Sequence, residues 1–440
     1  MTAPAVPVPP RASALIPFGV FLVFYLGLSL WAQDFYSVPM PVAFLVAGVT
    51  ALAMCPRIPL REKIDCFTAG MGERNIMLMC LIFVLAGAFA AVAKAMGAVD
   101  AAVLLTRRIL PDGFILAGMF GVSCLISLAI GTSCGTIAAL TPIALGLLSG
   151  LPVSPEVMLG AVIGGAMFGD NLSMISDTTI AATRTQDVAM RDKFRANLLM
   201  VLPGAAAVLV LYLFSGGASN APAAAAVEWR HVLAVLPYLA VLVCALAGWD
   251  VVMLLTGGTV LACAIGVLTG GFDCRTALDV CGKGVLGMSE TLIVALLAGG
   301  LLAVIRHQGG VAFVMDRIAG SVRSAKGAEL GIFALTGAVN LFTANNTVAI
   351  IIAGPLAREL GAKFRCDPKR IAGILDTASC FVQGLIPYGA QILIAAGVAK
   401  TAGSPVSTLG LVEHLYYPWI MGLSVILFIL LRRTRSLMKV

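Results

Sequence analysis

Between Gly169 and Thr179 the chain reads Gly-Asp-Asn-Leu-Ser-Met-Ile-Ser-Asp-Thr-Thr. Two carboxylates (Asp170, Asp177), an amide (Asn171) and four hydroxyls (Ser173, Ser176, Thr178, Thr179) fall within these eleven residues. An apolar, glycine-rich run, Val157 to Phe168, precedes them, and Ile180-Ala181-Ala182 follows. Ionisable groups set in such a run mark an ion or solute pathway, because holding them at membrane depth is costly. Burial favours the protonated form of a carboxyl group, and a nearby cation favours the ionised form. One such group can therefore hold a proton or a cation, but not both well.

Three other polar interruptions share this character. Gly131-Thr132-Ser133-Cys134-Gly135-Thr136 and Thr343-Ala344-Asn345-Asn346-Thr347 break two long apolar segments. Asp376-Thr377-Ala378-Ser379 continues to Gln383 and then to Ile386-Pro387-Tyr388-Gly389-Ala390-Gln391. Pro387 removes a helix donor and frees a carbonyl. Freed carbonyls, hydroxyls and carboxylates are hard oxygen ligands suited to Na⁺, whereas half-helix N-termini suit an anion. For Asp177 and Asp376 the structural reading is that they cap half-helices, helped by Thr178, Thr179 or Thr377.

The surroundings are those of a polytopic membrane protein. The chain is 60% hydrophobic and 12% charged, and its mean hydropathy is +1.01. Runs long enough to span a bilayer (about 20 residues) recur from end to end. Ten spans are expected, near 14–31, 38–55, 76–96, 157–183, 196–214, 231–247, 251–270, 284–305, 371–395 and 411–431. The interrupted segments 113–149 and 329–357 read as re-entrant helical hairpins. The expected fold is all-α, with about ten transmembrane spans, two hairpins and two inverted repeats with broken helices. The net charge of +7 resides in short loops, which excludes a nucleic-acid surface and fits positive-inside topology. The eleven cysteines form no Cys-x-x-Cys and lie mostly in apolar runs as packing residues.

The chain also repeats itself. Leu85-Ala86-Gly87 and Leu297-Ala298-Gly299 lie 212 residues apart, as do Val92 and Val304, Lys94 and Arg306, and Gly97 and Gly309. Gly135-Thr136-Ile137-Ala138 faces Asn346-Thr347-Val348-Ala349 at an offset of 211; Pro142 and Pro355 follow, then Asp170 and Asp376. Loop 151–156 has no Lys or Arg, whereas its counterpart 358–370 has Arg358, Lys363, Arg365, Lys369 and Arg370. Loop 184–195 has Arg184, Arg191, Lys193 and Arg195, whereas its counterpart 396–408 has only Lys400. Matching loops thus lie on opposite sides, and the copies are inverted. Both termini are then cytoplasmic, with the basic tail Arg432, Arg433, Arg435 and Lys439; Arg107-Arg108 falls outside against the trend. The division expected is 1–56 N-terminal spans, 57–195 first repeat, 196–271 linking spans, 272–400 second repeat and 401–440 C-terminal span with tail. Inverted repeats with paired interrupted helices mark a secondary transporter with its site near the midplane.

Several patterns carry no function here. Gly131-x-Ser133-x-Gly135 imitates a hydrolase nucleophile elbow, but no strand precedes it, and His231, His307 and His414 are scattered. Gly160-x-x-x-Gly164 and Gly165-x-x-x-Gly169 are spacings for close helix packing. Glu290 reads as an interfacial helix-start acid, and Lys94 and Arg306 as snorkelling cations. No P-loop or dinucleotide fingerprint is present, so ATP-driven pumping is not expected; the chain reads as a transporter rather than an enzyme, with no cofactor beyond transported Na⁺ and H⁺.

Over about residues 60–400 the sequence resembles the NhaC family of Na⁺/H⁺ antiporters, within the ion-transporter superfamily. The resemblance rests on Gly131–Thr136, on Gly169-Asp170 through Ser176-Asp177-Thr178-Thr179, on Asn345 through Ile350, and on Ile386 through Gln391. It implies hairpins in inverted repeats, sodium-coupled exchange and elevator-like motion against a scaffold. Some members exchange organic anions, such as malate for lactate, with Na⁺ and H⁺. Cys134 stands where the family pattern often has Trp, and Met174 where Pro follows the Ser; a smaller tip residue leaves room for a solute larger than an ion.

The leading expectation is therefore a Na⁺/H⁺ antiporter of the bacterial inner membrane. Asp170, Asn171, Ser173, Ser176, Asp177 and Thr178 would bind the transported Na⁺, with Asp170 and Asp177 as its carboxylate ligands. Asp170 or Asp177 would exchange it for a proton, and Asp376 with Asn345, Asn346 and Thr347 would complete the site. Thr136, Thr377, Gln383 and Gln391 belong to the same polar breaks. The alternative is a Na⁺-coupled carrier of a small organic anion or amino acid held by Thr132, Ser133, Asn345 and Asn346. The partners expected are Na⁺, H⁺, the lipid bilayer and, in the alternative, the organic solute; a homodimer is compatible.

Overall fold

The computed structural model describes residues 9–32, 39–54, 58–98, 100–101, 104, 112–148, 151–174, 176–215, 228–247 and 249–431. Arg107, Arg108 and the basic tail lie outside the described residues. Among the described residues there is no strand. In chain order the helices are α1 (Ile16–Ala32), α2 (Met40–Ala53), α3 (Leu60–Met71), α4 (Arg74–Ala95), α5 (Ile115–Ile130), α6 (Ser133–Leu147), α7 (Pro155–Leu172), α8 (Asp177–Gln186), α9 (Met190–Ser215) and α10 (Trp229–Leu246). They continue with α11 (Val251–Leu268), α12 (Cys274–Gly287), α13 (Ser289–His307), α14 (Gly310–Ser321), α15 (Ala325–Thr343), α16 (Asn346–Lys363), α17 (Pro368–Leu385), α18 (Ala390–Thr401), α19 (Thr408–Glu413) and α20 (Tyr416–Leu431).

Among the described residues six helical runs are long and apolar enough to cross a membrane: Ile76–Ala95, Pro155–Gln186, Met190–Ser215, Val251–Leu268, Cys274–His307 and Pro368–Thr401. Six shorter apolar helices accompany them, among them Ala12–Tyr25, Met40–Ala53 and Tyr416–Leu431. Each expected span falls on one of these twelve, and the remaining two, α5 and α6, are the arms of the first hairpin. The protein is an all-helical, multi-pass membrane protein.

Two features differ from expectation. Short helices, α3 and α12, precede the spans α4 and α13, so the span expected from 284 begins at Ser289 after a bend at Met288. The helix breaks are also narrower: α7 stays helical through Asp170, Asn171 and Leu172, and α8 begins at Asp177, so among the described residues only 173, 174 and 176 lie outside these two helices. In the second half the break is 386–389, so Asp376, Thr377 and Ser379 lie well inside α17.

The helix ends set the true register of the repeat. Gly131 (φ 76°) and Ala344 (φ 46°) both turn left-handed at the hairpin tips. Thr132 and Asn345 follow as N-caps, their side chains accepting from Gly135 N and Val348 N. Ser154 and Asp367 cap α7 and α17, each with Pro at the first helical position. All these pairs, and Pro142 with Pro355, lie 213 residues apart. The offset of 211 at the tips is thus corrected, and so is the pairing of Asp170 with Asp376. The residue matching Asp170 is Gln383, and Ala390 matches Asp177.

Contacts are reciprocal between the copies. Helix α3 packs on α13, and its counterpart α12 packs on α4. A Cβ on Gly70 would lie 2.6 Å from the Gly299 carbonyl, and one on Gly87 2.4 Å from the Gly284 carbonyl, so both crossings need glycine. Likewise α6 packs on α18 and α16 on α8, joining each hairpin to the broken helix of the other copy. At one end of the molecule Arg358 meets Asp187 (3.7 Å) and Lys369 meets Asp192 (2.9 Å), so loops 184–195 and 358–370 share a face. At the other end Gly160 abuts the His414 carbonyl and Gly410 lies against Glu156, which gathers loop 151–156 with the segment after α18. Matching loops therefore sit at opposite ends, as inversion requires.

Candidate functional site

Four helices begin at one point. Ser133, Asp177, Asn346 and Ala390 are the first residues of α6, α8, α16 and α18, and all four line a single cavity of about 120 Å³. The break at each hairpin tip and in each long helix is what points these N-termini inward. Each carries about half a positive elementary charge, so the four together offset about two negative charges. Two carboxylates line the same cavity: Asp170, near the end of α7, and Asp177, itself the first residue of α8.

Asp170 is held by three donors. Its Oδ2 accepts from Ser133 N (3.1 Å) and Ser133 Oγ (2.7 Å), and its Oδ1 from Ser176 Oγ (2.7 Å). Ser176 Oγ lies 2.9 Å from Thr178 Oγ1, which donates to it since its own proton is committed to Asp170. Gln391 Nε2 donates to Ser133 Oγ (3.0 Å), and Gln383 Nε2 donates to Gln391 Oε1 (3.0 Å) and to the Ala344 carbonyl (3.1 Å). One chain of hydrogen bonds thus runs from the acid of the first half to the matching amide of the second. Gln383 lines the cavity, while its Oε1 is buried with no hydrogen-bond partner among the described residues. Asp177 is exposed to the cavity and accepts from Thr347 Oγ1 (2.8 Å).

Of the expected site residues, Thr132, Ser133, Asp170, Asp177, Thr178, Asn345, Asn346, Thr347, Gln383 and Gln391 line this cavity, and Cys134 lies with them. Leu78, Met79 and Ile82 of α4 close it with an apolar wall that sequence reading missed. The remaining residues lie behind it. Thr136 Oγ1 bonds back to the Thr132 carbonyl (2.9 Å), and Ser173 Oγ to the Leu128 carbonyl (2.9 Å). Asn171 Oδ1 accepts from Asn197 Nδ2 (2.6 Å), and Thr377 Oγ1 donates to Asn197 Oδ1 (2.7 Å).

Asp376 does not line the cavity. It is fully buried and ion-paired with Lys193, whose side chain is 1% exposed. Lys193, expected in a basic loop, instead lies in the first turn of α9 and points inward. The signal was present: Lys193, Asn197, Met200 and Gly204 form a stripe at helical spacing, all buried.

Packing fixes the site's position. Along α7, Gly165 and Gly169 meet α5 so closely that a Cβ on either would lie 2.4 Å from the carbonyl of Phe120 or Cys124. Ser127 Oγ also bonds the Ala166 carbonyl (2.5 Å). The second break is clamped by Tyr388, whose hydroxyl bonds the Leu341 carbonyl (2.7 Å) and whose ring packs edge-on against Phe21 of α1 and Phe44 of α2. A larger cavity, about 200 Å³, lies between Tyr25, Glu290, Lys400 and Thr408, but its charged groups are closed on each other in a Lys400–Glu290 pair (2.5 Å). The Asp170 cavity, though smaller, is where the helix ends and the two carboxylates converge.

Residues 12–217 and 220–433 match the profile of the Na+/H+ antiporter family. The chain belongs to the Na⁺/H⁺ antiporter family. Among its relatives is the malate-2H(+)/Na(+)-lactate antiporter of Bacillus subtilis (strain 168), 24% identical over 421 residues, covering 87% of this chain and 88% of that one. The Na(+)/H(+) antiporter NhaC of the same organism is 25% identical over 374 residues, covering 76% and 79%. The arginine/ornithine antiporter ArcD of Halobacterium salinarum (strain ATCC 700922 / JCM 11081 / NRC-1) is 24% identical over 345 residues, covering 70% and 69%. An antiporter-family chain is a transporter and not an enzyme, and the cavity at the four helix ends is its candidate exchange site.

Proposed function

We propose that this chain exchanges Na⁺ for H⁺ at the Asp170 cavity, in the cytoplasmic membrane of a bacterium. The observation that carries this is one cavity lined by the carboxylates Asp170 and Asp177 and by the first residues of four helices. The helix ends offset the carboxylates' charge, so neither a proton nor a cation is held irreversibly, and each displaces the other. Asp170 is the exchange acid, and Asp177, Thr178 and Asn346 bring further oxygens to the cavity wall. Ser133 and Ser176 steady the ionised form of Asp170 when the cation is bound.

Alternating access follows from the same division of elements. The hairpins and broken helices, α5–α8 and α15–α18, form a unit that moves past the α3–α4 and α12–α13 crossings. The apolar face of Leu78, Met79 and Ile82 is the barrier it passes. The face with loops 184–195 and 358–370 is cytoplasmic because it carries the basic residues.

The test is a flux assay. Acid-loaded proteoliposomes given external Na⁺, with no organic solute present, should become alkaline inside. No change in internal pH would sink this reading.

A second reading has its own support. Four N-termini with Asn345, Asn346 and Gln391 also suit a carboxylate once the acids carry a proton or Na⁺. It makes the chain a Na⁺-coupled exchanger of a small organic anion, like the relative that handles malate and lactate. Na⁺-driven pH change seen only with such an anion in the assay would favour it over simple exchange.

A further inference from the structure

Lys193 Nζ sits inside a cage of oxygens. It is ion-paired with Asp376 Oδ2 and donates to the Asn171 carbonyl (2.7 Å) and to Thr179 Oγ1 (2.9 Å). Those three acceptors use all three ammonium protons. The set is a carboxylate, a main-chain carbonyl and a hydroxyl, the hard oxygens that a small alkali cation takes. The carbonyl comes from the last turn of α7, whose helix ends one residue later at Leu172. Asn197 Nδ2 holds the same carbonyl (2.9 Å), and Thr377 Oγ1 orients Asn197 in turn. The ammonium thus bridges α7 before the break, α8 after it, and α17.

We propose that Lys193 is a resident cation: it fills an oxygen site of the kind Na⁺ occupies, so Asp376 takes no transported ion and the exchange acids are confined to the Asp170 cavity. This rests on the Na⁺/H⁺ reading for what the cavity exchanges, but the filled site stands on its own geometry. Asp376 is 0% exposed and absent from the cavity wall. A buried carboxylate without a partner is costly, and this one has a tethered partner that cannot leave with the solute. The consequence is a lower ion count. Of the three carboxylates at and behind the helix breaks, Asp170, Asp177 and Asp376, one is satisfied internally in every step of the cycle.

The test counts bound Na⁺ by ²²Na⁺ equilibrium binding to the full chain in lipid nanodiscs. The proteins compared are the wild type, Lys193→Met and the double variant Lys193→Met/Asp376→Asn. The methionine keeps the length of the stem and removes the charge, which leaves the oxygen cage open. The proposal expects one more Na⁺ per chain in Lys193→Met than in the wild type, and the wild-type count again in the double variant. That gain would support it even if the wild type bound no Na⁺, a result that would sink the exchange reading alone. An unchanged count in a folded Lys193→Met overturns the proposal. If Lys193→Met folds only in high Na⁺, the double variant decides. It should bind Na⁺ and exchange it as the wild type does, and a monodisperse double variant that has lost Na⁺ binding overturns the proposal.

Discussion

Asp170 and Asp376 are both buried, and they differ in what stands against them. Asp170 is met by hydroxyls and a main-chain N–H and opens onto a cavity, whereas Asp376 is met by an ammonium and is closed off. In the proposed exchange only the first is open to a transported charge. Asp170→Asn should therefore keep the fold, since Ser133 and Ser176 can still bond an amide, and should lower Na⁺-driven proton flux at least a hundredfold. Ser133→Ala removes a hydroxyl bond to an ionised group, about 1.5–3 kcal/mol. It should weaken Na⁺ binding by roughly 10- to 100-fold in a titration, with a shift of the flux optimum toward higher Na⁺. The sequence made the oxygen cluster legible because its residue types contrast with an apolar chain. It did not separate Asp170 from Asp376, because the partner of Asp376, Lys193, comes from a helix 183 residues earlier in the chain (376 − 193). The charge of Lys193 also looked like one more loop cation.

Helix ends, not apolar runs, decide how the elements are registered. Short identities slide within segments rich in Ala, Gly and Leu, which is why the tips were first matched at 211 and the acids at 206. Caps do not slide: a left-handed residue, then Thr132 or Asn345, then a helix start can be superposed in one way only. The spans themselves were legible from length and hydropathy, and the Gly165-x-x-x-Gly169 spacing from residue size. Gly169→Ala tests the α5–α7 contact, because its Cβ would meet Cys124 O at 2.4 Å and Leu128 N at 2.6 Å. Backbone cannot yield as a side chain does, so the cost is about 1–3 kcal/mol. Thermal unfolding in detergent should show a lowered midpoint with Na⁺ affinity also reduced, whereas Gly118→Ala, which meets nothing within 4 Å, should leave both unchanged.

For the whole molecule, inversion was legible from loop charge, and the ion pairs Arg358–Asp187 and Lys369–Asp192 place the two basic loops together. Orientation can be read with an impermeant maleimide: Asp187→Cys should label only from the cytoplasmic side and Pro152→Cys only from the outer side. Labelling of both from one side would contradict the inverted arrangement. An inverted pair with one acid and one matching amide, Asp170 and Gln383, gives a cavity with a single dominant exchange group. Proton and Na⁺ then compete, and apparent Na⁺ affinity rises with pH as the competing proton is lost. The direct measurement is proton release on adding Na⁺ to the purified protein in weakly buffered solution. The account predicts release of about one proton per Na⁺ bound in the wild type, and none in Asp170→Asn. Na⁺ binding without proton release in the wild type, or undiminished release in Asp170→Asn, would contradict it.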